Sequence, residues 1–92
     1  MEINEIYKQA IETYGKDAQL KMAIEEMAEL TQAICKSFRG KDNTDNIVEE
    51  IADVEIMLAQ LKLIYGIEQY KVDMHKSLKL FRLTQRLNNV DA

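Results

Sequence analysis

The positions of the helix-breaking residues constrain the fold of this chain more than any other feature of its sequence. Proline is absent, and the three glycines, Gly15, Gly40 and Gly66, divide the 92 residues into four segments. Within each segment apolar residues recur every three or four positions, which is the period of an amphipathic helix. Glycine often ends a helix because it adopts a positive φ angle without strain. The sequence therefore predicts four helices and an all-α fold.

The four segments differ in how many apolar faces they carry. The first three each have one apolar stripe, and they run from Ile3 to Tyr14, from Leu20 to Phe38 and from Ile47 to Tyr65. The fourth has one apolar line formed by Ile67, Tyr70, Met74, Leu78 and Phe81 and a second formed by Leu80, Leu83 and Leu87. Short loops favour antiparallel neighbours, so we expect helices two and three to form a hairpin in a four-helix bundle-like fold, with helices one and four packed against it.

Polar residues near the expected helix starts predict two caps. Asp17 is a candidate N-cap for helix two, and Thr44 or Asp45 is a candidate for helix three. Their side-chain oxygens accept hydrogen bonds from the free amides of a first helical turn.

The length of the chain predicts one domain spanning residues 1–92, with a thin core. A chain of this size hides only about two-thirds of its unfolded surface. The second apolar line of helix four has no obvious partner in so small a bundle. It packs either on helix one or on another subunit, and we expect a homo-oligomer, either a dimer or a tetramer.

Composition and charge argue against several classes of partner and location. The net charge is −4, and residues 1–60 hold 13 acids against 6 bases, so duplex nucleic acid is an unfavourable partner. No stretch approaches the roughly 20 apolar residues that span a membrane. The acidic N-terminus lacks the features of a secretory signal, and Cys35 is the only cysteine. We therefore expect a cytoplasmic protein with neither a membrane nor a nucleic acid partner.

Carboxylates are concentrated on the two central helices. Helix two carries Glu25, Glu26 and Glu29, and helix three carries Glu49, Glu50 and Asp53. With about 100° of rotation per residue, Glu26 falls at the border of its apolar stripe and Glu50 falls within the apolar arc of helix three. An ionised carboxylate buried without a partner is unfavourable. Both helices therefore require a compensating positive charge.

Basic residues along the same helices do not supply that charge. The residue four positions after Glu25 is Glu29, and the residue four positions after Glu49 is Asp53, so like charges stack. An antiparallel hairpin brings two carboxylate pairs together, and four oxygen donors are typical of a site for Mg²⁺ or Mn²⁺. A di-iron bundle site would require Glu-x-x-His motifs, which are absent, and the single histidine, His75, favours a surface or packing role.

These two acidic motifs resemble those of a known enzyme family. The segments Ile24–Leu30 (IEEMAEL) and Val48–Val54 (VEEIADV) are similar to the Glu-Glu-x-x-Glu and Glu-x-x-Asp motifs of the MazG-like nucleoside triphosphate pyrophosphohydrolases. Twenty residues separate Glu29 from Glu50, which fits the spacing in that family. The resemblance implies an all-α enzyme that cleaves a nucleoside triphosphate to the monophosphate and pyrophosphate.

The resemblance also implies a role for each acidic position. Glu26, Glu29, Glu50 and Asp53 would bind Mg²⁺, or Mn²⁺ in its place, and Glu25 would orient or deprotonate the attacking water. Family members commonly build this site between subunits. Full-length MazG proteins have two such domains, whereas this chain has one and lacks tryptophan. The preferred base is therefore left open.

Cationic and polar residues near the two motifs are candidates for contacts to phosphate. Lys36 lies seven residues after Glu29, and Arg39 follows it by about one turn. Helix four offers a basic stripe that includes Lys79 and Arg82. Asn46 precedes Glu50 by one turn and Glu49 adjoins it, so both are further candidates. Each of the basic residues is equally compatible with an exposed face that keeps the protein soluble.

Two other function classes are compatible with the sequence. A helical adaptor would use the acidic hairpin to bind a basic partner and would show no metal dependence. A metal-binding regulator would use the carboxylates to sense a divalent ion without turnover. Neither explains why both motifs occur at the family spacing, so we favour the hydrolase.

Overall fold

The computed structural model describes residues 1–90, and all regular secondary structure in this range is helical. The helices are α1 (Ile3–Tyr14), α2 (Lys16–Ser37), α3 (Thr44–Tyr65) and α4 (Gln69–Val90). The prediction of an all-α fold with four helices is confirmed. Residues 91 and 92 of the expected domain lie outside the described residues. None of the four helices is both long enough and apolar enough to cross a membrane.

Glycine ends α3 in the way that the sequence predicted. Gly66 adopts a left-handed conformation with φ of +64° and ψ of 35°. Its amide donates to the carbonyl of Leu63, and the amide of Ile67 donates to the carbonyl of Lys62 at 2.8 Å. These two bonds form a Schellman motif, which satisfies carbonyls at the end of the helix.

The predicted N-caps are wrong. The helix α2 begins at Lys16, immediately after Gly15, so Asp17 lies inside the first turn. An acidic side chain at that position still interacts favourably with the helix dipole. The helix α3 begins at Thr44 with Asn43 as its N-cap residue, which makes no capping bond through its side chain. Asp42 instead accepts hydrogen bonds from the amide (3.3 Å) and the hydroxyl (3.0 Å) of Thr44.

The helices α2 and α3 form the antiparallel hairpin that the short loop predicted. Near its open end, the Gln19 side-chain amide donates to Oε1 of Gln60 at 2.7 Å, and both residues are buried. Near its closed end, Nδ2 of Asn43 donates to the carbonyl of Ala33 at 2.8 Å. Between these bonds the buried apolar residues are few, namely Ala23, Ala33 and Met57. Two side-chain hydrogen bonds therefore join the helices of this hairpin in addition to its apolar packing.

The two outer helices differ in how they pack. The helix α1 packs on both α2 and α3, as expected, whereas α4 does not pack along any of the other three helices. The expectation that α4 packs against the hairpin of its own chain is therefore wrong. Apart from the half-buried Val72, every residue of α4 is exposed, so both of its predicted apolar lines are uncovered.

The buried glutamine pair makes a testable contribution to stability. Removing one partner leaves the other buried without a hydrogen bond, which costs about 1–3 kcal/mol. We expect Gln19→Met or Gln60→Met alone to lower the free energy of unfolding by this amount, measured by urea denaturation. The double variant should recover most of the loss, because it leaves no unpaired polar group. Additive losses in the double variant would contradict this account.

Candidate metal centre

The hairpin brings the predicted carboxylates together from its two helices. Glu26 and Glu29 lie one turn apart on α2, and Glu50 and Asp53 lie one turn apart on α3. One carboxylate oxygen from each of Glu26, Glu29 and Glu50 lies within 4.8 Å of the other two. Asp53 adjoins the group through a side-chain contact with Glu26. Three of the four predicted ligands therefore form one group, and Asp53 lies beside it.

The glutamine pair and the carboxylate cluster share one register. Glu26 follows Gln19 by seven residues on α2, and Asp53 precedes Gln60 by seven residues on α3. Seven residues are about two helical turns, so both pairs project from the same side of their helices towards the partner helix. A shift of α2 along α3 would break the Gln19–Gln60 hydrogen bond and would also separate Glu26 from Asp53.

Burial makes two of these carboxylates unusual. Glu26 and Glu50 are half-buried, whereas Glu29 and Asp53 are exposed. The Oε2 atoms of Glu26 and Glu50 are both shielded from solvent and have no hydrogen-bond partner among the described residues. Buried carboxylate oxygens are normally paired with a donor or a cation. These two oxygens therefore fit the role of metal ligands.

The crowding of the cluster changes its electrostatics. Burial raises the pKa of Glu26 above its usual value of 4.5, and the neighbouring charges of Glu29, Asp53 and Glu50 raise it further. Burial also raises the pKa of Glu50, with further increases from Glu29 and Asp53. The Asn46 side chain opposes this increase by hydrogen bonding to the Glu50 carboxylate, which favours the ionised form. A bound cation would remove the repulsion that raises both pKa values.

The donor set and its spacing suit a hard divalent cation. Carboxylate oxygens are the preferred ligands of Mg²⁺, which binds them at about 2.1 Å. Two oxygens on one such ion lie at most about 4.2 Å apart, by doubling that distance. The ligand atoms of Glu26, Glu29 and Glu50 lie within 4.8 Å of one another, which is close to this value. The Mg²⁺ site expected from the sequence therefore has three carboxylates at a suitable spacing, with Asp53 beside them.

The remaining predicted site residues lie at different distances from this cluster. Glu25 and Glu49 are exposed and adjoin the ligand pairs in sequence. Lys36 is exposed and lies two turns beyond Glu29 on the same side of α2, about 10 Å along the helix axis. Arg39 lies in the turn that follows α2.

The predicted basic residues of α4 are separate from the carboxylates. Lys79 and Arg82 line a groove formed by α4 alone, together with Gln85, Arg86 and Asn89. Because α4 does not pack along the hairpin, one chain does not bring these cations to the cluster. Sequence reasoning also missed Asn43, whose side chain ties the start of α3 to α2. Its position in the polar turn before α3 was the available signal.

Comparisons with protein-family models, with curated proteins and with solved structures found no match to this chain.

The raised pKa values predict how the stability of the metal-free protein depends on pH. Because Glu26 and Glu50 bind protons more tightly when the protein is folded, unfolding releases protons between the unfolded and folded pKa values. We expect the melting temperature to fall as pH rises from about 4.5 through the raised pKa values, and Mg²⁺ to reverse the fall at pH 7. Glu50→Gln should flatten this dependence. Equal slopes for the two proteins would contradict the assignment.

Proposed function

We propose that this chain is a Mg²⁺-dependent nucleoside triphosphate pyrophosphohydrolase of the MazG-like type, which produces a nucleoside monophosphate and pyrophosphate. The observation that carries the proposal is the pair of buried, unpartnered oxygens on Glu26 and Glu50, within a group of three carboxylates that Glu29 completes. The two motifs and their spacing support the same reaction. With its single exposed cysteine, Cys35, the chain also suits the reducing cytoplasm, where nucleotides are abundant.

The acidic cluster by itself would repel a triphosphate. Its carboxylates carry charge of the same sign as the phosphates of the substrate. When bound, Mg²⁺ supplies positive charge that neutralises the phosphates and the developing negative charge of the reaction. Glu26, Glu29, Glu50 and Asp53 would hold the ion, and the hydrogen bond from Asn46 partly offsets the increase in the pKa of Glu50. Glu49 is exposed, adjoins Glu50 in sequence and adds negative charge at the edge of the carboxylate cluster.

Glu25 is the proposed catalytic base. It is exposed and immediately precedes the ligand Glu26, so water has access to it. Its carboxylate orients a water molecule and accepts one proton from it. The water oxygen forms a bond to the α-phosphorus, and the bond between this phosphorus and the oxygen that bridges to the β-phosphorus breaks. Pyrophosphate leaves with the electron pair of that bond.

Fixed cations on the same hairpin orient the phosphates in this proposal. Lys36 projects from the side of α2 that carries Glu29, and Arg39 follows it in the turn. A chain of phosphates that starts at the cluster can extend the roughly 10 Å to Lys36 along α2. Lys79 and Arg82 stand on α4, away from the hairpin of their own chain, so they contribute only if another copy supplies them.

The reaction is tested by measuring pyrophosphate and nucleoside monophosphate from a panel of ribo-, deoxyribo- and modified nucleoside triphosphates. Each substrate is assayed with Mg²⁺, with Mn²⁺ and with a chelator. Metal-dependent release of both products from any substrate supports the proposal and ranks the bases. Metal binding without turnover would favour a regulator, and a folded protein that neither binds metal nor turns over would favour an adaptor.

The ligand assignment predicts the effect of Glu50→Gln. Loss of a residue that only supports a metal ligand commonly costs 10- to 100-fold, so loss of a ligand should reduce kcat/KM at least about 100-fold. The metal-free variant should melt at a higher temperature than wild type, because a crowded buried charge is removed. Glu55→Gln is the matched control, since Glu55 is an exposed glutamate of α3 outside the cluster. Full activity in Glu50→Gln would exclude the assignment.

The proposed base predicts a different pattern for Glu25→Gln. General base catalysis contributes about 10²- to 10⁴-fold, so kcat should fall by that factor. Affinity for Mn²⁺, measured by calorimetry, should stay close to wild type because Glu25 is not a ligand. Loss of metal affinity and of turnover together would instead make Glu25 part of the metal site.

A further inference from the structure

A groove opens beside the buried glutamine pair, at the end of the hairpin where α1 meets α2. Its volume is about 370 Å³, and it is lined by Tyr14, Ala18, Gln19 and Met22. Gly15, with φ of +93°, turns the chain so sharply that α1 ends at the residue before it and α2 begins at the residue after it. This turn places an aromatic side chain of α1 beside the first two turns of α2.

The apolar part of the groove suits a flat aromatic ligand. Tyr14 is 69% exposed and Met22 is 41% exposed, so both offer uncovered surface to a ligand. Nucleobases stack on aromatic side chains, and this contact tolerates any base because every base has a π-face. The short side chain of Ala18 leaves room between the other two residues.

Gln19 supplies the polar group of the same groove. It is only 8% exposed, and its amide donates to Oε1 of Gln60 at 2.7 Å, so its position is fixed. That bond uses one of the two N–H groups of the amide. The other N–H and the carbonyl oxygen offer a donor and an acceptor, with which a glutamine amide binds the edge of a base. The groove therefore combines a stacking surface with a positioned hydrogen-bonding group, as small-ligand sites commonly do.

The groove and the proposed catalytic residues share one face of α2. At about 100° per residue, an arc of about 60° on this helix contains Ala18, Met22, Glu25, Glu29 and Lys36. Met22 precedes Glu25 by about 4.5 Å along the helix axis and Glu29 by about 10 Å. A ribose can span the first of these distances. A nucleotide with its base in the groove can therefore place its α-phosphate beside Glu25 and extend its other phosphates towards Lys36.

The helix α1 borders the same side of the hairpin. Ile11 of α1 lines a groove with Leu63 of α3. Leu63 is rotated by about 120° around α3 from the buried Met57. Glu29 is rotated by about 80° around α2, in the same sense, from the buried Gln19. In an antiparallel pair, rotations in the same sense point to the same side, so α1 and the metal site lie on one side of the hairpin.

We propose that the groove between α1 and α2 binds the nucleobase of the substrate. Tyr14 and Met22 contact the faces of the base, and the Gln19 amide selects the base by hydrogen bonds to its edge. This inference rests on the proposed function and gives the substrate a direction. The base lies at the open end of the hairpin, and the terminal phosphate lies towards Lys36 at the closed end.

The test compares ligands with and without a base by calorimetry in Mg²⁺. The probes are inorganic triphosphate and α,β-methylene analogues of ribo- and deoxyribonucleoside triphosphates, in which the bond that the enzyme would cleave is replaced. We expect at least one analogue to bind more tightly than inorganic triphosphate. Tyr14→Ala should weaken binding of that analogue by about 5- to 150-fold, the range that stacking of a base on an aromatic side chain contributes. Binding of inorganic triphosphate should not change, because it has no base.

Two further variants separate stacking from a general effect on the fold. Tyr14→Phe should retain the affinity for the analogue, because its ring still stacks on the base. Tyr65→Ala is the matched control, since Tyr65 is 63% exposed and its position on α3 is rotated to the opposite side of the hairpin. In turnover assays Tyr14→Ala should raise KM and leave kcat nearly unchanged, as expected when binding is lost equally from the ground state and the transition state.

Two results would overturn the base site and leave the proposed function standing. Equal affinity for the analogues and for inorganic triphosphate would mean that no base is recognised. Equal affinity of Tyr14→Ala and Tyr65→Ala for the best analogue would place the base elsewhere. The proposed function would fail, and the base site with it, if neither kind of probe binds in Mg²⁺ to a chain that circular dichroism at 222 nm shows to be helical.

Discussion

The close approach of α2 to α3 is the contact on which the rest of this molecule depends. Small side chains at Ala23 and Ala33 allow the two backbones to come near each other, and the Gln19–Gln60 hydrogen bond fixes their register. Two turns from that bond, the same register sets Glu26 against Asp53. A polar bond at one end of the hairpin thus positions a charged cluster at its centre, two helical turns away.

The carboxylates of the hairpin lower its stability at the positions where they form the candidate metal site. Apolar side chains at the positions of Glu26 and Glu50 would lengthen a core that now holds only three buried apolar residues. Instead, two oxygens are buried without partners, and their neighbours are other carboxylates that raise their pKa values. Such a conflict between local charge and global fold is expected where a binding function constrains the sequence. A divalent cation, as proposed, would resolve it by supplying the missing partner and cancelling the repulsion.

Periodicity predicted the helices of this chain well, but it did not predict what each apolar face contacts. The stripe of α2 through Ile24, Ile34 and Phe38 is real, yet α3 packs on the adjacent side, where the small residue Ala23 and the polar Gln19 allow a closer contact. A hydrophobicity pattern does not indicate that two glutamines are buried against each other. The Gln19–Gln60 hydrogen bond, which fixes the register, was therefore not predicted. The acidic cluster was predictable because charges inside an apolar arc are conspicuous. The predicted N-caps were wrong because α2 begins directly after Gly15 and α3 directly after Asn43, and neither residue caps its helix through a side-chain hydrogen bond.

The separation of α4 from the carboxylates connects the oligomeric state to the chemistry. Lys79 and Arg82 are the predicted phosphate-binding residues of α4, but their own chain holds them apart from Glu26 and Glu50. They can reach a phosphate at the carboxylates only if another copy supplies them. Lys36 differs, because it projects from the side of α2 that carries Glu29 and lies only about 10 Å further along the helix. The hairpin of one chain therefore already combines the carboxylates with a cation for phosphate, and α4 would add to that charge only from outside the chain.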